Sequence, residues 1–193
     1  MRDIVRPSLH FTPQKGWIND PNGLVFFKGQ YHLFYQYNPY HDNWDSMHWG
    51  HAVSRDLIHW EELEPALVPD MPYDNDKNGG CFSGSVVVHD DQLFLFYTGR
   101  TEDVTGIFET QNLAVSKDGR HFVKIEENPL INEVPEKGGR DFRDPKVFFA
   151  QGKWRMICGG STGRIEHPDS RGRIYLFSST DLYHWTYSVI LYE

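Results

Sequence analysis

Two aspartates, each followed by a proline, are the residues in this sequence best suited to chemistry. Asp20 lies in the stretch GWINDPNGLVFF (residues 16–27), and Asp144 lies in FRDPKVF (residues 142–148). Proline disfavours a helical conformation in the residue before it and donates no backbone hydrogen bond. We therefore predict that both carboxylates project from the ends of extended strands. The alternative is that DPNG and RDP are ordinary turn sequences.

A pair of carboxylates among aromatic side chains favours the cleavage of glycosidic bonds. In a retaining mechanism one carboxylate attacks the anomeric carbon, while another group protonates the leaving oxygen. Aromatic residues make up 15% of the chain, with six Trp, ten Tyr and thirteen Phe. Such side chains suit β-structure and provide flat faces that stack on sugar rings.

The elements that must position these residues repeat with a period of about sixty. Similar hairpin sequences begin at Gly23, Gly84 and Pro145, which are 61 residues apart both times. A second element follows each hairpin, and its anchoring aromatic residues are Trp60, Phe122 and Trp185, spaced 62 and 63. Each unit predicts four short strands: a hairpin, a third strand that ends near 52–53, 114–115 or 176–177, and a fourth that begins at the aromatic anchor.

Repeated four-stranded units predict an all-β fold, namely a β-propeller. Three blades are expected at residues 17–80, 81–141 and 142–193. Four units of this period exceed the 193 residues of the chain, so we expect about three blades of a larger ring. An ordinary β-sandwich is the alternative fold.

The repeat also predicts which residues meet. The innermost strand of each blade lines the central channel, so residues at the start of that strand lie at the channel mouth. Asp20, Ser83 and Asp144 precede the inner strands of the three blades. We therefore expect these three side chains to approach one axis.

Composition argues against several other classes of protein. The net charge is −8 and no Lys/Arg cluster is present, which argues against a nucleic-acid partner. No apolar stretch approaches the length of a membrane helix, and the first residues lack the apolar core of a signal peptide. Cys81 and Cys158 are isolated, which favours buried free thiols in the cytoplasm over a disulfide.

Several histidine and tryptophan side chains are expected to have structural roles and not to bind a ligand. His48 and His51 are three residues apart in a predicted strand, so they lie on opposite faces and are not expected to share a metal ion. Trp49, Trp60 and Trp185 are expected in the cores of the blades.

Five segments resemble motifs of glycoside hydrolase family 32, and they occur in the family's order. They are WINDPNG at 17–23, LFYQYNP at 33–39, MHWGHAVSRDLIHW at 47–60, CFSGS at 81–85 and FRDPKVF at 142–148. The resemblance implies a β-fructofuranosidase whose five-bladed propeller is followed by a β-sandwich, with no metal or organic cofactor. It also implies that Asp20 is the nucleophile, and that Asp144 stabilises the transition state with Arg143 beside it. Positions matching the family's fructose pocket are Trp17, Asn19, Gln36, Trp44, Phe82 and Ser83.

One element of the family's pattern is not found. The family's general acid is a Glu followed by Cys on the next blade, which the repeat places near residue 206. Glu193 has no following Cys and is expected to be a strand-end surface residue. We therefore expect this chain to lack the acid, the remaining blades and the sandwich.

Several alternatives stay open at this point. The short approach YDNDKNGGCFSGS (residues 73–85) is similar to bacterial intracellular members acting on sucrose or sucrose-6-phosphate. The chain by itself is either part of such an enzyme or a non-catalytic piece that binds sugar weakly. A sister propeller enzyme acting on arabinosides or xylosides is a third possibility. The sequence does not define the oligomeric state.

Overall fold

A computed structural model describes residue 7 and residues 9–139, 141–163 and 168–193. These residues form twelve β-strands in three four-stranded antiparallel sheets. The described part of the chain contains no α-helix and one short 3-10 helix, Pro135–Lys137. The all-β prediction is confirmed.

Each sheet is a simple up-and-down meander of four consecutive strands. The first sheet contains β1 (Trp17–Phe27), β2 (Gln30–Asn38), β3 (His48–Ser54) and β4 (Trp60–Leu67). The second sheet contains β5 (Gly80–His89), β6 (Gln92–Asp103), β7 (Gly106–Ser116) and β8 (Val123–Lys124). The third sheet contains β9 (Phe142–Ala150), β10 (Lys153–Ser161), β11 (Gly172–Ser179) and β12 (Thr186–Tyr192).

The first two strands of every sheet are joined by a two-residue turn of the same type. In the first sheet, Lys28 and Gly29 both have positive φ, at 47° and 82°. Positive φ at both central residues matches the right-handed twist of the flanking strands. The corresponding pairs are Asp90–Asp91 and Gln151–Gly152.

The first strands of the three sheets lie side by side. β1 contacts β5, and β5 in turn contacts β9. Since each sheet continues outward from its first strand, the sheets radiate like the blades of a propeller. The chain therefore forms three blades, as the repeat predicted.

The core lies between neighbouring blades, which explains why central strands are apolar on both faces. Along β6, Leu95 packs in the core shared with the first blade, with Trp49 and Phe34. The next residue, Phe96, packs in the core shared with the third blade, with Met156. Successive side chains of a strand point to opposite faces, so β6 supplies both cores. Trp49 is buried there, and Trp60 and Trp185 are partly buried.

The third and fourth strands of every blade are linked by a Ser-x-Asp turn, which has the same hydrogen bonds in each case. In the first blade, Asp56 accepts from the backbone N–H groups of Ile58 and His59 through Oδ1. Its Oδ2 atom pairs with Nδ1 of His59 at 2.7 Å. The corresponding pairs are Asp118–His121 and Asp181–His184.

The fourth strand of the second blade is shorter than expected. It contains only two residues, Val123 and Lys124, because the pairing with β7 is then interrupted and is made again only at Ile131, opposite Gln111. Backbone hydrogen bonds there join Gln111 to Leu130 and Ile131. This segment continues the outer edge of the blade beyond the interruption.

Two other predictions concern the state of the cysteines and the presence of a membrane-spanning helix. The thiols of Cys81 and Cys158 are buried and unpaired. Within the described ranges, no helix is long and apolar enough to cross a lipid bilayer.

Candidate active site

All three inner strands are irregular near the mouth. The pairing of β1 with β2 shifts twice between Ile18 and Gly23, and that of β5 with β6 shifts between Phe82 and Gly84. The pairing of β9 with β10 shifts around Cys158. A bulge bends its strand and redirects a side chain. The aspartates and the serine predicted to meet lie on these bulges.

Asp20 accepts hydrogen bonds at both carboxylate oxygens. Ser83, from the second blade, donates its hydroxyl to Oδ2 at 2.8 Å. The neighbouring Asn19 donates from Nδ2 to Oδ1 at 2.9 Å. These bonds orient the carboxylate, while its side chain remains open to solvent. The structure therefore brings together Asn19, Asp20 and Ser83.

Asp144 does not have the extended conformation that its proline predicted. Its φ angle is 61°, in the left-handed region, which a residue before proline rarely adopts. Two residues, Asp144 and Pro145, face only Cys158 on β10. The Asp144 N–H group donates to Oγ1 of Thr98 on the second blade at 3.1 Å. The bulge and this contact between blades override the local preference.

Charge and burial act on the Asp144 carboxyl together. Partial burial among protein atoms raises its pKa, the Arg143 guanidinium opposes the increase, and the charge of Asp20 raises it further. Since Asp20 perturbs Asp144, the two carboxylates lie within electrostatic reach. Two neighbouring carboxylates with different surroundings can serve different roles in one site.

Arg143 is held by two carboxylates. Its Nη1 lies 2.6 Å from Oε1 of Glu109, and its Nη2 lies 2.9 Å from Oδ1 of Asp141. The Glu109 side chain is 1% exposed and also accepts the Phe142 N–H at 2.6 Å. Burial raises the pKa of Glu109, and Arg143 opposes that shift. Glu109 thus fixes both the backbone and the side chain of the Arg-Asp-Pro segment.

Two aromatic residues, Trp44 and Phe82, pack against each other, and Phe82 directly precedes Ser83 on β5. Trp44 is 43% exposed, and its ring lies 5.9 Å from that of Phe82 at 77°. The Phe82 carbonyl accepts from Nε1 of Trp49 at 2.9 Å, and Arg100 lies over the Phe82 ring at 5.7 Å. Because Phe82 is fixed in this way, Trp44 has a rigid neighbour and an open apolar surface.

The remaining predicted pocket residues differ in exposure. Trp17 is half-buried and pairs with Asn38 at the end of β2. Gln36 is 3% exposed, and its Nε2 atom donates to the Cys81 carbonyl at 2.8 Å. Gln36 therefore joins the first blade to the second, and its role as a sugar contact stays a prediction.

Asp20 and Asp144 were expected at the same position in the repeat, but their distances to the ends of their inner strands differ by one residue. Asp20 precedes Phe27, the last residue of its strand, by seven residues. Ser83 and Asp144 precede the corresponding strand ends, His89 and Ala150, by six. The two register shifts in β1 account for the difference, because they add residues without displacing the strand's end.

Glu193 lies on the outside of the third blade. It follows β12, the strand farthest from β9 in its sheet, and pairs with Arg173 at 2.8 Å. This position matches that of a strand-end surface residue.

The sequence did not identify Thr98, Glu109 or Gln111, although all three contact the segment 142–144. Thr98 could have been found, because it lies 62 residues after Gln36 in the repeat. Nothing in the sequence distinguishes Glu109 from other acidic strand residues.

Metal ligation finds no support among the residues described. They include no group of three or more His, Cys, Asp or Glu side chains placed to hold a metal ion. His48 contacts the Ser46 carbonyl through Nδ1 at 2.6 Å, whereas His51 contacts His32 at 3.0 Å. The two histidines on β3 therefore have separate surroundings.

Several known proteins are similar to this chain in sequence, in fold or in both. A sucrose-6-phosphate hydrolase of Zymomonas mobilis is 44% identical over 185 residues, covering 94% of this chain and 35% of the relative. A levanase of Bacillus subtilis is 42% identical over 193 residues, covering 95% of this chain and 26% of the relative. The solved Bombyx mori GH32 beta-fructofuranosidase has a TM-score of 0.83 at 44% identity, covering 96% of this chain and 38% of that one.

The chain thus spans between 26% and 38% of the length of these relatives. The sequence profile that describes the glycosyl hydrolases family 32 N-terminal domain matches residues 10–193. The chain belongs to glycosyl hydrolase family 32, within the family's N-terminal domain.

Proposed function

We propose that the intact protein is a retaining β-fructofuranosidase in which Asp20 is the nucleophile. The observation that carries this proposal is the Asp20 carboxylate, oriented by Ser83 and Asn19 and lying within electrostatic reach of Asp144. It occurs in a chain that belongs to a family of glycosyl hydrolases.

The reaction proceeds in two displacements. In the first, an Asp20 oxygen bonds to the anomeric carbon of the fructosyl unit, and the glycosidic carbon–oxygen bond breaks as a general acid protonates the leaving oxygen. In the second, water attacks the same carbon and gives a proton to the conjugate base. Fructose leaves and the Asp20 carboxylate is restored.

Asp144 and Arg143 are proposed to bind fructose hydroxyl groups during these steps. An aspartate accepts hydrogen bonds and a guanidinium donates them, so together they can hold a ring whose charge changes in the transition state. Trp17, Trp44 and Phe82 supply apolar surface, and Asn19, Gln36 and Ser83 supply polar groups.

We further propose that residues 1–193 are the N-terminal part of a propeller catalytic domain, with blades at 17–80, 81–141 and 142–193. The general acid, the remaining blades and a β-sandwich would lie outside these residues. The one-third coverage of the relatives supports this division. The ion pair of Glu193 with Arg173 supports a surface role for Glu193 instead of that of the acid.

The substrate is proposed to be sucrose, sucrose-6-phosphate or a fructo-oligosaccharide. Relatives named sucrose-6-phosphate hydrolase and levanase support this range, and an alanine variant of the Bombyx mori enzyme was solved with sucrose. No cofactor, nucleic acid or membrane partner is proposed. The proposed location is the cytoplasm, which the two unpaired thiols support.

A hydrolysis assay with the intact protein tests this function. We expect fructose release from sucrose or sucrose-6-phosphate, and a loss of at least about 10³-fold in Asp20→Asn. Asp90→Asn, in the hairpin turn at the far end of the second blade, is the matched control and should keep full activity. Faster hydrolysis of nitrophenyl arabinoside or xyloside would favour the sister enzyme class instead.

The second candidate is that these 193 residues alone bind sugar without cleaving it. The candidate rests on the missing general acid. Glu109 is paired with Arg143, and Glu193, which follows the outer strand β12, is paired with Arg173. Fructose titration and sucrose turnover should therefore be measured with the isolated chain. Turnover would reject this candidate.

A further inference from the structure

Gln36 and Thr98 occupy the same position in successive blades, and each contacts the inner strand of the next. They are 62 residues apart, as are Lys28 and Asp90, which begin the corresponding hairpin turns. Gln36 donates to the Cys81 carbonyl on β5, and Thr98 accepts the Asp144 N–H on β9. The second strands of the first and second blades thus each restrain the inner strand of the next blade.

We propose that Thr98 and Gln111 are positioning residues that hold Asp144 in its left-handed conformation from the neighbouring blade. This inference rests on the proposed function, since it concerns how Asp144 is presented to the substrate. Neither side chain belongs to the pocket assigned above.

The hydrogen bonds between these residues have defined directions. The Thr98 hydroxyl has one proton, which it donates to Gln111 Oε1 at 2.9 Å. Its lone pairs are then free to accept the Asp144 N–H at 3.1 Å. Gln111 uses its Nε2 to donate to the Phe142 carbonyl at 2.7 Å. The network therefore restrains the backbone on both sides of Arg143.

Burial and pairing keep this network rigid. Thr98 and Gln111 are both 0% exposed and lie directly opposite each other on β6 and β7. The Gln111 N–H donates to the Ile131 carbonyl at 2.9 Å, and the Leu130 N–H donates to the Gln111 carbonyl. A buried polar network with all its members satisfied specifies one geometry.

Asp144 needs such support because its conformation is locally unfavourable. A non-glycine residue with φ of 61° is uncommon, and a following proline disfavours it further. A backbone of this kind persists only where its surroundings determine it. Without the Thr98 hydroxyl, the Asp144 N–H would lose its acceptor and the carboxylate would move.

The test compares Thr98→Val with Thr98→Ser in the intact protein. Valine keeps the shape and removes the hydroxyl, whereas serine keeps the hydroxyl. We expect kcat on a fructoside to fall about 10- to 100-fold in Thr98→Val with a much smaller change in KM. Thr98→Ser should restore most of the loss. Thr110→Val, a buried substitution on β7 away from the Arg-Asp-Pro segment, is the control.

Crystal structures of the variants provide a readout that does not require activity. We expect the φ angle of Asp144 to leave the left-handed region, or its carboxylate to shift, in Thr98→Val but not in Thr98→Ser. An unchanged Asp144 with an unchanged kcat would overturn the inference. If Thr98→Val does not fold, Gln111→Met removes the bond to Phe142 and is judged by the same criteria.

Failure of the proposed function gives a different result. In that case the wild-type intact protein would cleave no fructoside, while the structures of the variants would still show whether Thr98 and Gln111 determine the Asp144 conformation.

Discussion

The Ser83 hydroxyl donates a hydrogen bond of 2.8 Å to the Asp20 carboxylate from a different blade. The two residues are 63 positions apart in the chain, so the geometry of the proposed nucleophile depends on how the first two blades pack. Ser83 itself lies at a bulge in β5, between Phe82 and Gly84. The bulge therefore helps to place the Ser83 hydroxyl against the carboxylate proposed as the nucleophile.

Replacing Ser83 by alanine is expected to reduce kcat/KM for fructoside hydrolysis about 10- to 100-fold. A hydrogen bond to a charged group contributes about 1.5–3 kcal/mol, and Asn19 remains to orient Asp20. Steady-state kinetics of the intact protein check this effect. Ser188→Ala, on the outer strand β12, is the control, and an unchanged rate in Ser83→Ala would contradict the assigned contact.

Replacing Glu109 by glutamine is expected to destabilise the protein by about 1–3 kcal/mol and to raise KM. Removing one partner of a buried ion pair costs about 3–5 kcal/mol, but Arg143 is one-third exposed and keeps Asp141. Urea unfolding measures the stability. Glu102→Gln, which affects a more exposed pair with Arg100, should change the stability much less. Equal effects of the two variants would refute the role given to Glu109.

Replacing Trp44 by alanine is expected to raise KM for a fructoside about tenfold, with a smaller effect on stability. The Trp44 ring is 43% exposed beside Phe82, so little folding energy depends on it, whereas stacking on a sugar ring would be lost. Tyr40→Ala, at another exposed aromatic residue, is the comparison. The prediction fails if KM is the same in Trp44→Ala and the wild type.

The stability of the protein is expected to decrease as the pH falls below about 6.5. Burial lowers the pKa of His32, and burial with the neighbouring His32 and Arg120 lowers that of His51 to about 3. Both rings are nearly inaccessible, and Nδ1 of His32 lies 3.0 Å from Nε2 of His51. A lowered folded-state pKa means that the unfolded chain binds protons first. Stability is thus present above the unfolded-state pKa and is lost toward the folded-state pKa.

Urea unfolding at pH 7.5, 6 and 5 (values chosen on either side of about 6.5, the ordinary His pKa) measures this loss. Each histidine kept neutral contributes up to about 1.4 kcal/mol per pH unit. The double variant His32→Gln/His51→Gln should have a shallower pH dependence than the wild type, and the exposed His41→Gln should not. Parallel curves for all three proteins would disprove the assignment.

The blade repeat could be predicted from the sequence because each blade buries the same pattern of side chains. The third strands end at residues 54, 116 and 179, each within two residues of the predicted end. The short β8 could not be predicted, because the chain leaves β7 after Ile125 and pairs with it again only at Ile131, opposite Gln111. Such an interruption depends on tertiary contacts.

For the site, residue type and repeat position predicted that Asp20 and Ser83 would meet. They did not predict the left-handed Asp144, because the rule for a residue before proline is local while Thr98 acts from another blade. Glu109 was missed for the same reason. Its importance comes from the burial of its carboxylate against Arg143, and a single acidic residue in a strand carries no sign of that.

Trapping the covalent intermediate tests the central claim most directly. The intact protein would be mixed with a fructoside that has a good leaving group, quenched in acid within the first turnover, digested and examined by mass spectrometry. We expect one fructosyl unit attached to Asp20 in the peptide that contains WINDPNG, and no adduct in Asp20→Asn. A fructosyl unit on another residue, or rapid turnover with no adduct and inverted product stereochemistry, would contradict the account.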